Sequence, residues 1–171
     1  MSLKSTPQIT KRQVDSAELS DLIRAAINEG HTTSIIAPGG SMLPFIRSDD
    51  KIFISPVGGK QFRSGDILVF LREPDRRVIA HRAVKINADL VLCKGDNVVG
   101  YVDGWIPTQD VLGRVDRVER DGRPIRWGVG PGKRLIAWLS KRNKLVLLVN
   151  SIRKVKWGVI KLFSPEDKSK F

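Results

Sequence analysis

Two residues of this 171-residue chain have the types and settings needed for nucleophilic chemistry, Ser41 and His81. Ser41 follows Gly39-Gly40 and precedes Met42-Leu43-Pro44, so the backbone can turn sharply there and cannot continue as a helix. A serine hydroxyl is a weak nucleophile and needs an adjacent base. His81 lies in an alternating segment, 78–84, and a strand there would hold the imidazole rigidly. We therefore expect Ser41 to act as nucleophile and His81 as general base.

A histidine base also needs a group, normally a carboxylate, that fixes its tautomer and stabilises the imidazolium. Asp96 and Asp103 are the two candidates, since both follow the predicted strand that contains Cys93. Both also lie in turn sequences, where an aspartate often caps the backbone, so the residues alone leave the choice open. His31 is a weaker candidate for the base than His81, because it follows a predicted helix in a polar loop.

The segments around these residues predict a mainly β fold. Asp15-Ser16-Ala17-Glu18 is a capping box, and apolar residues at spacings of three and four then predict an amphipathic helix that ends near Gly30. Beyond it, seven short β-rich runs are separated by Gly, Pro and Asp, which favours an antiparallel, coiled sheet or partial barrel over a parallel α/β fold. The runs are 33–37, 51–54, 67–71, 78–86, 90–93, 111–119 and a return at 125.

Charge divides the chain into a nearly neutral part and a basic tail. The net charge is +12, of which residues 1–132 contribute +3 (19 Lys and Arg against 16 Asp and Glu) and residues 133–171 contribute +9 (11 against 2). The predicted units are a disordered N-terminus, 1–13; an amphipathic helix, 14–30; a β domain, 31–128; a basic amphipathic helical tail, 133–163; and a disordered C-terminus, 164–171.

Composition argues against several classes of protein. The single cysteine, Cys93, excludes an internal disulfide, and with only two histidines in the chain we expect no metal site and no cofactor. The polar N-terminus does not have the apolar core of a signal peptide, and no uncharged apolar run approaches the ~20 residues of a membrane-spanning helix. The expected location is peripheral on a membrane or cytoplasmic.

Five blocks of sequence occur in an order that resembles the S24/S26 peptidases, in the histidine-containing form of the signal peptidase I branch. They span residues 32–120, and bacterial signal peptidases and LexA-type repressors carry a lysine at the position of His81. The blocks are Gly40-Ser41-Met42-Leu43-Pro44 with Asp50, Arg63-Ser64-Gly65-Asp66 with the strand after it, His81-Arg82, Lys94-Gly95-Asp96-Asn97, and Val111-Leu112-Gly113-Arg114-Val115.

The resemblance implies a serine endopeptidase on the coiled β scaffold of signal peptidase and the LexA C-terminal domain. Ser41 would be the nucleophile, His81 the base, and Asp103 or Asp96 the acid, with Asp103 slightly favoured. Gly39, Gly40, Met42 and Pro44 would bind the substrate, a peptide or precursor protein. Relatives often carry an oxyanion-donating serine at the position of Gly39, so this chain would depend on backbone amides.

Two other functions are compatible with the same pattern. A LexA-like self-cleaving regulator would need a helix-turn-helix and a cleavable Ala-Gly or Cys-Gly bond before the serine, and the chain contains neither dipeptide. A catalytically silent module could instead hold an extended peptide by strand addition.

The basic tail has two readings of similar weight. Trp138 and Trp157 could lie at the headgroup level of an anionic membrane, with the lysines facing lipid. Alternatively, the tail helices pack on the domain and expose a solvated basic face. Nucleic acid is a distant third partner, because aromatic residues for base stacking are scarce and the β domain is nearly neutral.

Overall fold

A computed structural model describes residues 16–57, 62–73, 75, 77–147 and 151 of the chain. The predicted disordered ends and most of the tail beyond residue 147, with Trp157, lie outside the described residues. The first element is helix α1 (Ser16–Asn28). It is followed closely by Gly30, whose φ of +80° is the left-handed conformation that terminates helices. The N–H groups of Gly30 and His31 donate to the carbonyls of Ile27 (3.0 Å) and Ala26 (2.9 Å), which satisfies the free end of the helix.

Eight antiparallel strands form one sheet, so the prediction of a mainly β, antiparallel fold is confirmed. The sheet is not closed into a barrel. Its order is β1-β2-β7-β3-β4-β5-β6, with β8 paired to β7. The strands are β1 (Thr33–Ile36), β2 (Lys51–Ser55), β3 (Ile67–Arg72), β4 (Arg77–Asn87), β5 (Leu90–Lys94), β6 (Trp105–Pro107), β7 (Val111–Arg120) and β8 (Arg123–Ile125).

The eighth strand is β6, which the sequence pattern does not predict. It has only three residues and ends in Pro107, so it shows no alternation to detect. Its pairing with β5 places it at the edge of the sheet, where a proline is tolerated.

Strand β3 is covered on both faces, which explains its uninterrupted apolar run. Ile67 and Val69 belong to one core cluster, which includes Ile23 of α1 and residues of β2 and β7. Leu68 and Phe70 belong to a second cluster with Cys93 and other residues of β4, β5 and β6. Burial raises the pKa of the Cys93 thiol, as expected for an apolar filler.

Helix α2 (Lys133–Lys141) packs on the sheet domain through Ala137 and Ser140, which are fully buried. The Lys94 ammonium at the end of β5 donates to the Ser140 carbonyl (2.8 Å) and to Oδ1 of Asn143 (2.7 Å). The helix is therefore attached to the end of the strand that precedes both candidate aspartates. In the described part of the chain, no helix has the length and apolar character to cross a bilayer.

We predict that Gly128→Ala lowers the free energy of unfolding by about 2–4 kcal/mol, the sum of left-handed backbone strain and overpacking. Gly128 has a φ of +88°, and an added Cβ would lie 2.4 Å from Cδ1 of Phe45. Gly122 in the β7–β8 turn is the matched control, because its φ is +73° but nothing lies within 4 Å of its Cβ position. Urea unfolding should show a loss of about 1 kcal/mol for Gly122→Ala, and equal losses for the two variants would contradict the packing argument.

Candidate functional site

The structure brings Ser41, His81 and Asp103 into one hydrogen-bonded chain. The Ser41 Oγ lies 2.9 Å from Nε2 of His81, and Nδ1 of the same ring lies 2.5 Å from Oδ2 of Asp103. The three residues come from the turn after β1, from β4 and from the β5–β6 loop. Since a carboxylate oxygen accepts, Nδ1–H donates to Asp103 and leaves the Nε2 lone pair to accept the Ser41 proton.

Burial differs between the two ends of this hydrogen-bonded series of residues. The side chains of His81 and Asp103 are 6% and 1% exposed, whereas Ser41 is half-buried. His81 is held by its register opposite Leu68 of β3 and by an edge-on contact with the ring of Phe70. The base is therefore fixed in the protein while the hydroxyl remains reachable from outside.

The Lys94-Gly95-Asp96-Asn97 block holds the turn that carries Ser41. The Asn97 backbone N–H donates to the Ser41 carbonyl (2.8 Å), and its side-chain amide donates to the Gly40 carbonyl (3.1 Å). A Cβ at Gly95 would lie 2.9 Å from the Ser41 carbonyl oxygen and 3.1 Å from Nε2 of His81. Gly95 thus allows the β5–β6 loop to approach both residues, a role that the sequence alone did not reveal.

Asp96 pairs with Arg82 rather than hydrogen-bonding to the imidazole of His81. Its carboxylate accepts from Nε and Nη2 of Arg82 at 2.7–3.0 Å, and both side chains are fully buried. Burial raises the pKa of the Asp96 carboxyl, and the ion pair with Arg82 opposes that rise. Of the two aspartates left open by the sequence, only Asp103 hydrogen-bonds to His81. His31, the weaker candidate for the base, pairs with Glu29 at the exposed end of α1.

The other carboxylate oxygen of Asp103, Oδ1, is buried and has no hydrogen-bond partner. The guanidinium of Arg72 lies near this oxygen, with Nη1 4.0 Å from it. That distance is too long for a hydrogen bond but short enough for electrostatic attraction. Arg72 itself donates to Asp75.

A small apolar cavity of about 80 Å³ opens beside Ser41. Four residues are predicted to contact the substrate. Gly39 and Met42 line this cavity, and among the described residues Gly40 and Pro44 do not. Its walls otherwise come from β1, β2 and β4 and the segments next to them, including Ile35, Ala37, Ile52, Val78, Ile79 and Ala80. The cavity suits a short apolar side chain next to the hydroxyl.

Gly39 is exposed, has a φ of +76°, and carries no side chain that could donate a hydrogen bond. The donors available at this turn are therefore backbone amides, such as that of Ser41 itself. Asp50 and Asp66 lie before strands β2 and β3, and the carboxylate of each accepts from a backbone N–H three residues earlier, that of Arg47 and that of Arg63 (both 2.8 Å).

A larger cavity of about 620 Å³ contains none of the three hydrogen-bonded residues. Its charged walls are largely paired with one another. The ammonium of Lys133 lies 2.6 Å from Oδ1 of Asp66, and Arg114 lies 3.9 Å from Oδ2 of the same carboxylate. The smaller cavity beside Ser41 is therefore the one that adjoins the hydrogen-bonded residues.

Comparison of the chain with protein-family models, with curated proteins and with solved structures found no match.

Proposed function

We propose that this protein is a serine endopeptidase that forms an acyl-enzyme on Ser41. The observation that carries the proposal is the continuous Ser41–His81–Asp103 hydrogen-bonded chain, with its hydroxyl end half-buried and its carboxylate end buried. A nucleophile, a base and a group that orients the base are the three parts that hydroxyl-based acyl transfer needs.

In the proposed reaction, Nε2 of His81 accepts the Ser41 proton as Oγ attacks the substrate carbonyl. The imidazolium that forms is stabilised by Asp103 and then donates its proton to the leaving amine. Water, deprotonated by the same histidine, next attacks the acyl-enzyme and releases Ser41. The developing oxyanion is stabilised by backbone N–H groups of the Ser41 turn, because Gly39 has no side chain that could donate a hydrogen bond.

Two features favour a peptide over other acyl substrates. Strand β1 is the terminal strand of the sheet and, among the described residues, pairs only with β2. Its other edge can therefore accept an extended peptide by backbone hydrogen bonding. Ile35 of this strand and the adjacent Ala37 also line the cavity beside Ser41, so a bound peptide could place a small apolar side chain there.

We further propose that the sheet has the fold of the S24/S26 peptidases, of the signal peptidase I type. This proposal rests on the five ordered sequence blocks together with the positions of two of them. The Lys94–Asn97 block contacts the Ser41 turn, and Arg82 beside the base forms the buried ion pair with Asp96.

Two other functions remain alternatives to a peptidase that acts on other proteins. A LexA-like self-cleaving regulator is disfavoured because neither an Ala-Gly nor a Cys-Gly bond occurs in the chain. A silent peptide-binding module would use the same β1 edge and cavity without reaction at Ser41. Covalent labelling separates this module from an enzyme, because only a reactive hydroxyl is acylated or phosphonylated.

We predict that Ser41→Ala and His81→Ala each lower kcat/KM on peptides with small apolar residues by about 10⁴-fold or more, since the residues of such a triad act as a unit. Ser48→Ala and His31→Ala are matched controls, because both side chains are exposed and lie outside the site. Wild-type protein should also be labelled at Ser41 by a fluorophosphonate, with the adduct located by mass spectrometry. Equal cleavage and labelling by wild type and both site variants would refute the proposal.

We predict that replacing Asp103 lowers activity, whereas replacing Asp96 lowers stability. Asp103→Asn should lower kcat by about 10⁴-fold with little change in stability, because an amide would favour the wrong tautomer of His81. Asp96→Asn should lower the free energy of unfolding by about 3–5 kcal/mol, because it leaves Arg82 buried without its counter-charge. Steady-state kinetics and urea unfolding of both variants test this pair. Loss of activity in folded Asp96→Asn, with Asp103→Asn active, would reverse the assignment.

A further inference from the structure

Helix α2 has one face packed on the domain and an opposite face that carries large apolar side chains. Ala137 and Ser140 are buried against the sheet domain, whereas Leu135 and Trp138 are 61% and 47% exposed. Residues that are three or four positions apart in a helix lie about one turn apart on the same side. Residues 134, 138, 141 and 142 therefore lie on one side, and all four are exposed. An exposed Trp and Leu on a docked helix indicate an interaction surface.

The same exposed side is strongly basic. Arg134 and Lys141 are exposed and lie about one helical turn before and after Trp138, and the guanidinium of Arg142, the residue after the helix, lies 4.1 Å from the centroid of the indole ring. In the sequence, no acidic residue follows Gly132 until Glu166, so no carboxylate of this helix or of the segment after it offsets these charges. A surface that combines tryptophan, leucine and several cations is complementary to the headgroup region of an anionic bilayer.

The contacts at the end of α2 hold this surface in place. Oδ1 of Asn143 accepts from the Lys94 ammonium (2.7 Å) and from the Gly100 backbone N–H (3.2 Å). Lys94 and Gly100 belong to β5 and the β5–β6 loop, so α2 cannot rotate to bury Trp138 without breaking these bonds. In the described part of the chain, these contacts keep the side chains of Leu135 and Trp138 directed away from the sheet domain.

We propose that the exposed face of α2, formed by Arg134, Leu135, Trp138, Lys141 and Arg142, binds the surface of an anionic lipid bilayer. The two readings of the tail are then compatible, because the helix packs on the domain through one face and contacts lipid through the other. This inference does not depend on the peptidase proposal. Since the loop anchored to α2 also carries Asp103, binding would hold the Ser41 site at the membrane surface.

Flotation of the full chain with vesicles tests this surface. We expect binding to phosphatidylcholine vesicles that contain 30% phosphatidylglycerol as a chosen test composition, and weaker binding at high salt, which screens the attraction. The double variant Trp138→Ala, Arg142→Gln should bind about tenfold more weakly or worse, because it removes an interfacial aromatic and one cation. The matched control is Trp105→Ala, Lys85→Gln, which removes a similar cation–aromatic pair from β4 and β6.

The control pair makes the experiment decisive. Trp105 is 43% exposed, close to the value for Trp138, so loss of an exposed tryptophan alone would affect both variants equally. Full binding by the control and loss by the α2 variant supports the proposal. Equal binding by the two variants, or binding of wild type to uncharged vesicles as strong as to anionic ones, overturns it. Circular dichroism of each variant establishes that the domain is folded.

A second, independent inference concerns the buried oxygen Oδ1 of Asp103 and rests on the proposed function. A carboxylate oxygen without a hydrogen-bond donor is costly to bury, and the Arg72 guanidinium at 4.0 Å is the cation that faces it. The same guanidinium donates two hydrogen bonds to Asp75. We infer that Arg72 is a positioning residue, which orients the Asp103 carboxylate so that Oδ2 faces His81.

Kinetics and proton NMR test this role together. We expect Arg72→Ala to lower kcat by about tenfold without changing KM, as for loss of an interaction that acts in the transition state, and Arg72→Lys to restore most of kcat by keeping the charge. Arg77→Ala is the control, because Arg77 is the exposed cross-strand neighbour of Arg72. The His81 Nδ1–H resonance should shift in Arg72→Ala and not in Arg77→Ala.

The NMR signal separates this inference from the peptidase proposal. A shifted resonance in Arg72→Ala, in a protein that cleaves no peptide, would retain the positioning role while removing the proposed function. An unchanged resonance and unchanged kcat in Arg72→Ala, with peptide cleavage by wild type, would overturn the role of Arg72 and leave the proposed function intact.

Discussion

The site depends on the buried ion pair between Arg82 and Asp96. Arg82 lies on β4 directly after His81, and its guanidinium also donates to the carbonyls of Gly65 and Gly128, at 2.9 Å each. One side chain thereby joins β4, the β5–β6 loop, the turn before β3 and the segment before α2. Leaving either charge buried without its partner would cost about 3–5 kcal/mol, so the folded state is stabilised when these four segments meet in this arrangement.

The geometry at Ser41 follows from that constraint. Because Asp96 is bound to Arg82, the flanking Gly95 and Asn97 are held against the Ser41 turn, where Asn97 donates to two of its carbonyls. The same loop then returns along β5, where the Asp103 backbone N–H donates to the Cys93 carbonyl (3.0 Å). The carboxylate of Asp103 consequently reaches Nδ1 of His81. Ser41, His81 and Asp103 are thus each supported by residues that are not part of their hydrogen-bonded series.

The face of α2 that we propose for lipid binding is attached to the same loop. Lys94 begins the block that contacts Ser41, and its ammonium is bound at the end of α2. Burial lowers the pKa of Lys94, and the nearby carboxylate of Asp96 opposes that change. The proposed lipid-binding face of α2 and the proposed catalytic site therefore belong to one connected body.

The sequence by itself determined the mainly β fold class and singled out Ser41 and His81 as the candidate pair, because strand alternation, turn residues and the isolated serine and histidine are local signals. The tertiary structure decided which aspartate meets the imidazole. Asp96 and Asp103 have similar turn sequences, and only the burial of Arg82 beside Asp96 leaves Asp103 to face His81. Strand β6, the cavity beside Ser41 and the outward face of α2 were likewise decided by packing. Each depends on contacts between segments far apart in the chain, and such contacts leave no periodic pattern in the sequence.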